Sequence, residues 1–167
     1  GRVVRKQLTG ILFVFGNGDH LAVGPCLENT NQIVNFVNNR YIEWRLDRGG
    51  ILGHAAGIAL GPRGLAVAGF SGMGKSTLAL HLMRRGTAFV SNDRMIVENG
   101  QDGLYMHGVP KEPRINPGTA LSNPCLDGII SSEDKKRFSR LSKAELWDLE
   151  HKYDAPIEVY FGPGRFV

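Results

Sequence analysis

The chain has 167 residues, of which 42% are hydrophobic and 22% are charged, and its formal net charge is +4. This length suits one domain with a real core and is too short for two large ones. The charge is modest and its densest basic run, residues 135–137, follows two acids as on a solvated helix, which argues against a nucleic-acid partner. No apolar stretch reaches membrane-spanning length, so we expect no membrane partner either.

Cysteine usage and the chain ends add two expectations. Cys26 and Cys125 are far apart and lack metal-ligand spacing, which is typical of free buried thiols in a reducing, cytoplasmic setting. The chain starts at Gly1 rather than Met and stops at Val167 inside an apparent strand. We therefore expect a fragment of a longer protein.

The first third of the chain predicts a hairpin followed by a helix. Apolar residues 11–15 and 21–23 flank a Gly- and Asn-containing turn, which is typical of two antiparallel strands. Residues 30–37 predict a short helix and residues 41–46 an extended segment. We expect residues 1–50 to form an N-terminal segment that packs on a core made by residues 51–167.

The middle of the chain predicts strands around one helix. Residues 56–60 and 65–68 are joined by a Gly-Pro turn, so these two strands should be antiparallel. A helix pattern starts at Lys75 and ends in two arginines and Gly86. A strand at 88–90 and a second hairpin within 95–106 follow.

The last third predicts a proline-rich loop, one helix and a closing strand. Residues 108–124 hold four prolines, and Ser142 with Glu145 forms a capping box that should open a helix to about Tyr153. Residues 156–161 predict the closing strand. Hairpins mixed with one strand–helix–strand unit predict an α/β fold with a mixed, twisted sheet.

One motif carries chemistry. Residues 69–76 read Gly-Phe-Ser-Gly-Met-Gly-Lys-Ser, a complete phosphate loop (Walker A) between an apolar strand and a helix pattern. Its backbone N–H groups and the helix N-terminus favour polyphosphate, which predicts ATP binding. The predicted nucleotide-binding residues are Gly69, Ser71, Gly72, Met73, Gly74, Lys75, Ser76 and Thr77.

A phosphate loop of this kind works with a divalent cation. Lys75 should reach the β- and γ-phosphates, and the Ser76 hydroxyl should hold Mg²⁺. A carboxylate must complete the metal site, and Asp93 follows the strand that comes directly after the loop helix. Asp93 is therefore the predicted second metal ligand, although a turn-starting aspartate has the same appearance.

Residues 54–94 resemble the catalytic core of the HPr kinase/phosphorylase family, which has a phosphoenolpyruvate carboxykinase-like phosphate-loop fold. The resemblance rests on His54 before the strand hairpin, the loop itself, Arg-Gly-Thr at 85–87 and Asn-Asp-Arg at 92–94. It implies a kinase (transferase) that uses ATP and Mg²⁺ to phosphorylate a protein serine. It also implies that His54 faces the acceptor, that Glu112 is a further metal ligand, and that the protein is a homo-oligomer.

Two departures from the family pattern affect the expected activity. Asn92 stands where the family has the aspartate that serves as general base, and Ala55 stands where it has glycine after the histidine. A positioned base contributes roughly 10²- to 10⁴-fold in rate, so turnover and phosphorylase activity are both open to doubt. The catalytic candidates are His54, Lys75, Asn92 and Asp93.

Other readings remain open beside a protein kinase. Asn92 favours a nucleotide-binding sensor or pseudokinase that uses the same loop without turnover. A kinase acting on a small hydroxylated metabolite, or a hydrolase coupled to a partner, would need the same loop. Arg94 and Arg114 are candidates to neutralise the transferred phosphoryl group, while exposed arginines also occur without any such role.

Overall fold

The first 48 residues build a three-stranded sheet and a helix. In the computed structural model all of residues 1–167 are described, and Gly1–Arg48 and Gly49–Val167 form two compact units. The first unit contains β1 (Arg2–Arg5), β2 (Leu12–Phe15), β3 (His20–Val23) and α1 (Thr30–Leu46). The strands are antiparallel in the order β1-β2-β3, so the predicted hairpin is confirmed. Its small core centres on Phe13 and Phe36, whose rings stack with centroids 4.6 Å apart.

Helix α1 is longer than the sequence suggested, and the extended segment predicted at residues 41–46 is wrong. Contacts at helical spacing explain the difference. Arg40 and Glu43 form an ion pair at i,i+3, and the Arg45 guanidinium donates to the Tyr41 hydroxyl at i,i+4. Ile42 is buried within the unit. The apparent alternation of polar and apolar residues therefore belongs to a helix.

The second unit combines small antiparallel sheets with short helices. Its elements are β4 (Ile51–Gly53), β5 (Ala55–Leu60), β6 (Arg63–Ala68), α2 (Lys75–Met83), β7 (Ala88–Ser91), β8 (Met95–Gly100), β9 (Gly103–Gly108), β10 (Arg114–Ile115), α3 (Pro117–Ser122), a 3₁₀ helix (Pro124–Ile129), α4 (Ser132–Phe138), α5 (Lys143–Asp148), β11 (Tyr153–Asp154) and α6 (Ile157–Phe161). The sheets are ordered β4-β8-β9, β6-β5-β7 and β10-β11.

The α/β class and both predicted hairpins of this unit, β5–β6 and β8–β9, are confirmed. The single mixed sheet is not present, because every strand pairing is antiparallel. Parallel pairing is confined to one isolated bridge between Phe89 and Phe166. Two of these pairings, β5–β6 and β8–β9, join strands that are connected by tight turns, and such chain neighbours run antiparallel.

The β6-β5-β7 sheet places three chain segments at one edge. Strand β5 lies in the middle and is antiparallel to both neighbours, so β6 and β7 run in the same direction. Ala55 at the start of β5 is opposite Ala68 at the end of β6, and Gly57 is opposite Ser91 at the end of β7. The residues just before β5, just after β6 and just after β7 therefore emerge together.

Helix α2 packs on this sheet through its apolar side. Ala79, Leu80 and Met83 are buried with Ile58 of β5 and Phe89 of β7 in the main core. Burial of such side chains stabilises each by about 1.5–3 kcal/mol relative to exposure. The core therefore holds the N-terminal end of α2 at the sheet edge just described.

The C-terminal region departs most from the prediction. The strand predicted at residues 156–161 is wrong, because Ile157–Phe161 is helix α6. Ile157, Tyr160 and Phe161 contact the core at i, i+3 and i+4 while Val159 is exposed. Helix α5 ends at Asp148, before the predicted end near residue 153. The proline-rich stretch 108–124 contains β10 and α3.

The prediction for the cysteines is confirmed in part. Cys26 and Cys125 are free thiols, as predicted, but each is only half-buried. None of the helices combines the length and apolar character that crossing a bilayer requires.

Candidate functional site

A cavity of about 480 Å³ opens where the three chain segments meet. We divide its lining residues into two sets by chain position and call them the first wall and the second wall. The first wall consists of His54, Ser71, Gly72, Gly74, Lys75, Ser76, Thr77, Asn92 and Asp93. The second wall consists of Lys111, Glu112, Arg114, Ile115, Asn116, Thr119, Trp147, Asp148 and Lys152. All but two of the residues predicted for catalysis, nucleotide or metal line this cavity, the exceptions being Gly69 and Met73.

The loop at residues 69–74 curls because two of its glycines adopt left-handed backbone conformations. Gly72 has φ 81° and Gly74 has φ 80°, values that residues with a Cβ rarely adopt. Gly74 immediately precedes α2, and no side chain caps this helix N-terminus. The first backbone N–H groups of a helix have no partner within the helix, so this end is suited to an anion.

Lys75 is buried at the start of α2. Its side chain is only 8% exposed, and its ammonium donates to the carbonyl oxygens of Gly69 at 2.9 Å and Phe70 at 3.0 Å. These two bonds tie the curled loop to the helix. Both partners are neutral, and an ammonium has three N–H donors, so one donor remains for another acceptor.

The next two residues of α2 connect to different chain segments. The Ser76 hydroxyl donates to the backbone carbonyl of Asn92 at 3.4 Å, which joins α2 to the end of β7. The Thr77 hydroxyl lies 2.8 Å from the hydroxyl of Thr119, which is buried in α3. The N-terminus of α2, which belongs to the first wall, is therefore tied to the end of β7 and, through Thr119, to the second wall.

His54 and Asp93 contact each other at the rim of the cavity. His54 Nε2 lies 3.3 Å from Asp93 Oδ1, and both side chains are more than half exposed. The contact follows from sheet topology, because His54 precedes β5 and Asp93 follows β7 at the same edge. Sequence reasoning treated these two residues separately, as acceptor-facing group and metal ligand.

Glu112 and the arginines have structural partners. Glu112 Oε2 accepts a hydrogen bond from the Ile157 N–H at 2.9 Å and so caps the start of α6. Arg114 is paired with Asp154 across β10 and β11 at 3.4 Å. Arg94 does not line the cavity, in contrast to Glu112 and Arg114.

Two of the loop residues predicted to bind the nucleotide do not line the cavity. Gly69 supplies one of the carbonyl oxygens that hold Lys75, and the Met73 side chain is 69% exposed. The residues that sequence reasoning missed lie on the second wall, chiefly Thr119, Trp147 and Lys152. No local motif marks them, because they come from helices and loops more than 30 residues beyond the phosphate-loop motif.

Metal binding can be tested against the donor atoms present. No group of three or more His, Cys, Asp and Glu side chains is arranged to hold a metal ion. Mg²⁺ bound with nucleotides commonly uses only one or two carboxylates, with phosphate oxygens and waters as its other ligands. Ser76, Asp93 and Glu112 all line the cavity, so the donor set is compatible with that mode.

Comparison with known proteins indicates a distant relationship. No family model matches the chain, and no solved structure matches it. An HPr kinase/phosphorylase of Exiguobacterium sibiricum is 30% identical over 95 residues, which are 54% of this chain and 30% of that protein. An HPr kinase/phosphorylase of a Geobacillus species is 32% identical over 98 residues, again 54% of this chain and 30% of the relative. The chain thus spans under a third of these relatives' length, and the likeness suggests a link to kinases.

Proposed function

We propose that this chain is the nucleotide-binding core of a phosphotransferase that uses ATP and Mg²⁺ and phosphorylates a serine hydroxyl of a protein. The observation that carries the proposal is the buried Lys75 ammonium at the N-terminus of α2, held by two neutral carbonyl oxygens. A buried cation is costly unless a negative group compensates it. A polyphosphate in the adjoining cavity would supply that charge.

The first wall supplies the remaining contacts for the phosphates. Gly72 and Gly74 let the loop backbone curl toward the cavity, and the uncapped start of α2 adds partial positive charge. Both distant relatives are kinases by name, which supports a polyphosphate that is a nucleoside triphosphate. We therefore assign Gly69, Ser71, Gly72, Met73, Gly74, Lys75, Ser76 and Thr77 to ATP.

Mg²⁺, when bound, would neutralise charge on the phosphates and on the transferred group. Ser76 and Asp93 are the residues that would hold it, with Glu112 on the second wall as a further oxygen donor. Asp93 Oδ1 contacts His54, which leaves Oδ2 for the metal. Glu112 uses Oε2 for the α6 cap, which leaves Oε1.

We assign the proton of the acceptor hydroxyl to His54. Its Nε2 faces the Asp93 carboxylate, so Nδ1 is the ring nitrogen that remains for the acceptor. A carboxylate beside an imidazole orients the ring. This pair would partly compensate for Asn92, whose amide cannot take a proton.

Nucleotide binding is tested by calorimetric titration with ATP–Mg²⁺. We expect Lys75→Ala to weaken binding by roughly 10- to 100-fold, because a charge-assisted hydrogen bond to the phosphates is lost. Lys136→Ala is the matched control, since Lys136 is exposed on α4 and outside the cavity. Absence of heat with the parent protein, or equal weakening in both variants, would reject the proposal.

A second candidate function is a nucleotide-binding sensor without turnover, and Asn92 favours it. The two functions differ in whether label moves from γ-labelled ATP to a protein. Label on serine of an added protein supports the kinase. Binding of ATP without labelled protein, labelled small molecule or released phosphate supports the sensor.

A further inference from the structure

We propose that Trp147 stacks on the base of the nucleotide, so that the second wall forms a nucleobase subsite. The inference rests on the proposed function, because it takes the triphosphate as bound by the first wall. Nothing in the phosphate-loop motif identifies this residue, which lies more than 70 positions further along the chain.

One face of the Trp147 indole is covered by a glycine of α3. A Cβ built on Gly118 would lie 3.1 Å from both Cδ2 and Cε2 of the indole and 3.4 Å from Cε3. Cδ2 and Cε2 are the two carbons of the ring fusion, in the interior of the indole. A point nearest to both of them lies above the ring face and not beside its edge. Gly118 thus allows the backbone of α3 to lie flat against the indole.

The indole also lines the cavity and is only half-buried. One face lies against Gly118, so the face left for a ligand is the opposite one, and we take it as the part of the indole that lines the cavity. The ring is attached to α5, whose N-terminus is fixed by a complete capping box. A supported aromatic ring of this kind is a platform on which a planar heterocycle stacks with either of its π-faces.

The position of the platform matches the nucleoside end of a bound nucleotide. The Ser76 hydroxyl donates to the backbone of Asn92, next to Asp93, which is the end of the cavity to which the proposed function assigns the terminal phosphate and the acceptor. Thr77, one residue further along α2, instead contacts Thr119 of α3. Helix α3 also carries Gly118, which supports Trp147. A nucleotide with its terminal phosphate near Asp93 would therefore extend its other end toward α3 and α5.

The size of the cavity agrees with this arrangement. Its volume of about 480 Å³ lies within the range of roughly 300–1,000 Å³ that holds nucleotide-sized ligands. The first wall alone accounts for a polyphosphate. The second wall then offers an aromatic surface for the rest of the ligand.

The test compares ATP–Mg²⁺ with tripolyphosphate–Mg²⁺, which has the phosphates but no base. The chain has two tryptophans, so Trp44→Phe leaves Trp147 as the only indole. In this background we expect ATP, but not tripolyphosphate, to quench indole fluorescence. We expect Trp147→Ala to weaken ATP binding by roughly 5- to 100-fold and to leave tripolyphosphate binding unchanged. Trp147→Phe, which keeps an aromatic face, should recover most of the ATP affinity.

Each outcome decides between the subsite and the function on which it rests. If tripolyphosphate and ATP bind equally well and Trp147→Ala changes neither, the nucleobase subsite is overturned while phosphate binding stands. If Trp147→Ala weakens both ligands equally, Trp147 has only a structural role and the inference is also overturned. If neither ligand binds to the parent protein, the proposed function itself fails.

Discussion

Under the proposed phosphotransferase function, Asn92 is the residue on which turnover most depends. Its backbone carbonyl accepts the Ser76 hydroxyl, so its side chain starts at the cavity edge beside Asp93. A carboxylate at this position would line the cavity together with His54 and Asp93. An amide preserves the shape of that group but has no basic site for the proton of an acceptor.

Asn92→Asp is therefore expected to raise phosphoryl transfer from ATP to a protein acceptor. A positioned base contributes roughly 10²- to 10⁴-fold, and the proposed role of the His54–Asp93 pair would already supply part of that, so we expect a gain nearer the lower end. Initial rates of label transfer from γ-labelled ATP measure it. Asn99→Asp, the same change at an exposed position of β8, is the control. Equal rates in the parent and Asn92→Asp would show that position 92 is not the base position.

Among the elements, α5 connects a purely local signal to the cavity. The Ser142 hydroxyl accepts from the Glu145 N–H at 3.3 Å, and the Glu145 carboxylate accepts from the Ser142 N–H at 2.7 Å. Hydrogen bonds from the side chain and then the backbone of Ser142 lower the pKa of Glu145 below its ordinary value of 4.5. This contribution to stability is present above pH 4.5 and is lost as the pH falls through the lowered pKa.

Ser142→Ala should loosen α5, because one N–H at its first turn loses its acceptor and the carboxylate loses part of its support. At neutral pH we expect the backbone amides of α5 to exchange with solvent about 2- to 30-fold faster. The difference from the parent should shrink when Glu145 is protonated at low pH. Hydrogen-exchange mass spectrometry measures it, with Ser132→Ala on α4 as control. Unchanged exchange at neutral pH would show that the capping box does not hold α5.

At the scale of the whole second unit, the C-terminal segment closes the core. Arg165 is half-buried, and its guanidinium donates to two backbone carbonyl oxygens. One belongs to Met83 at the end of α2, and the other to Thr87 just before β7. The backbones of Phe89 and Val167 also bond, with Val167 N donating to Phe89 O at 2.9 Å. These contacts join residues more than 75 positions apart.

Removing the guanidinium should therefore destabilise the unit that holds the cavity. We expect Arg165→Ala to lower the free energy of unfolding by about 1.5–3 kcal/mol, and Arg165→Lys to recover little, since an ammonium cannot form the planar fork. Urea unfolding followed by Trp147 fluorescence in the Trp44→Phe background measures it. Arg63→Ala, on the exposed strand β6, serves as the control. A shift no larger than that of the control would rule out the anchoring role.

Local patterns were reliable where neighbouring residues decide the structure. Hairpins with glycine-containing turns and the Ser142–Glu145 capping box involve contacts within a few residues, and all were predicted. The extended segment predicted at residues 41–46 and the strand predicted at residues 156–161 were wrong, because apolar residues that alternate over a short stretch suit a strand as well as a helix. Which of the two forms depended on which side chains the core buries, and for α6 on the capping carboxylate of Glu112.

The sequence alone determined the curled loop, the start of its helix and the lysine at that helix start, because glycine conformations and helix signals act over a few residues. Only the tertiary structure decided that His54 contacts Asp93, that Ser76 and Thr77 bond to Asn92 and Thr119, and that Trp147 lies against Gly118. Those neighbours are 16 to 42 residues apart in the chain. Sheet register and core packing bring them together, and neither leaves a mark on any short stretch of sequence.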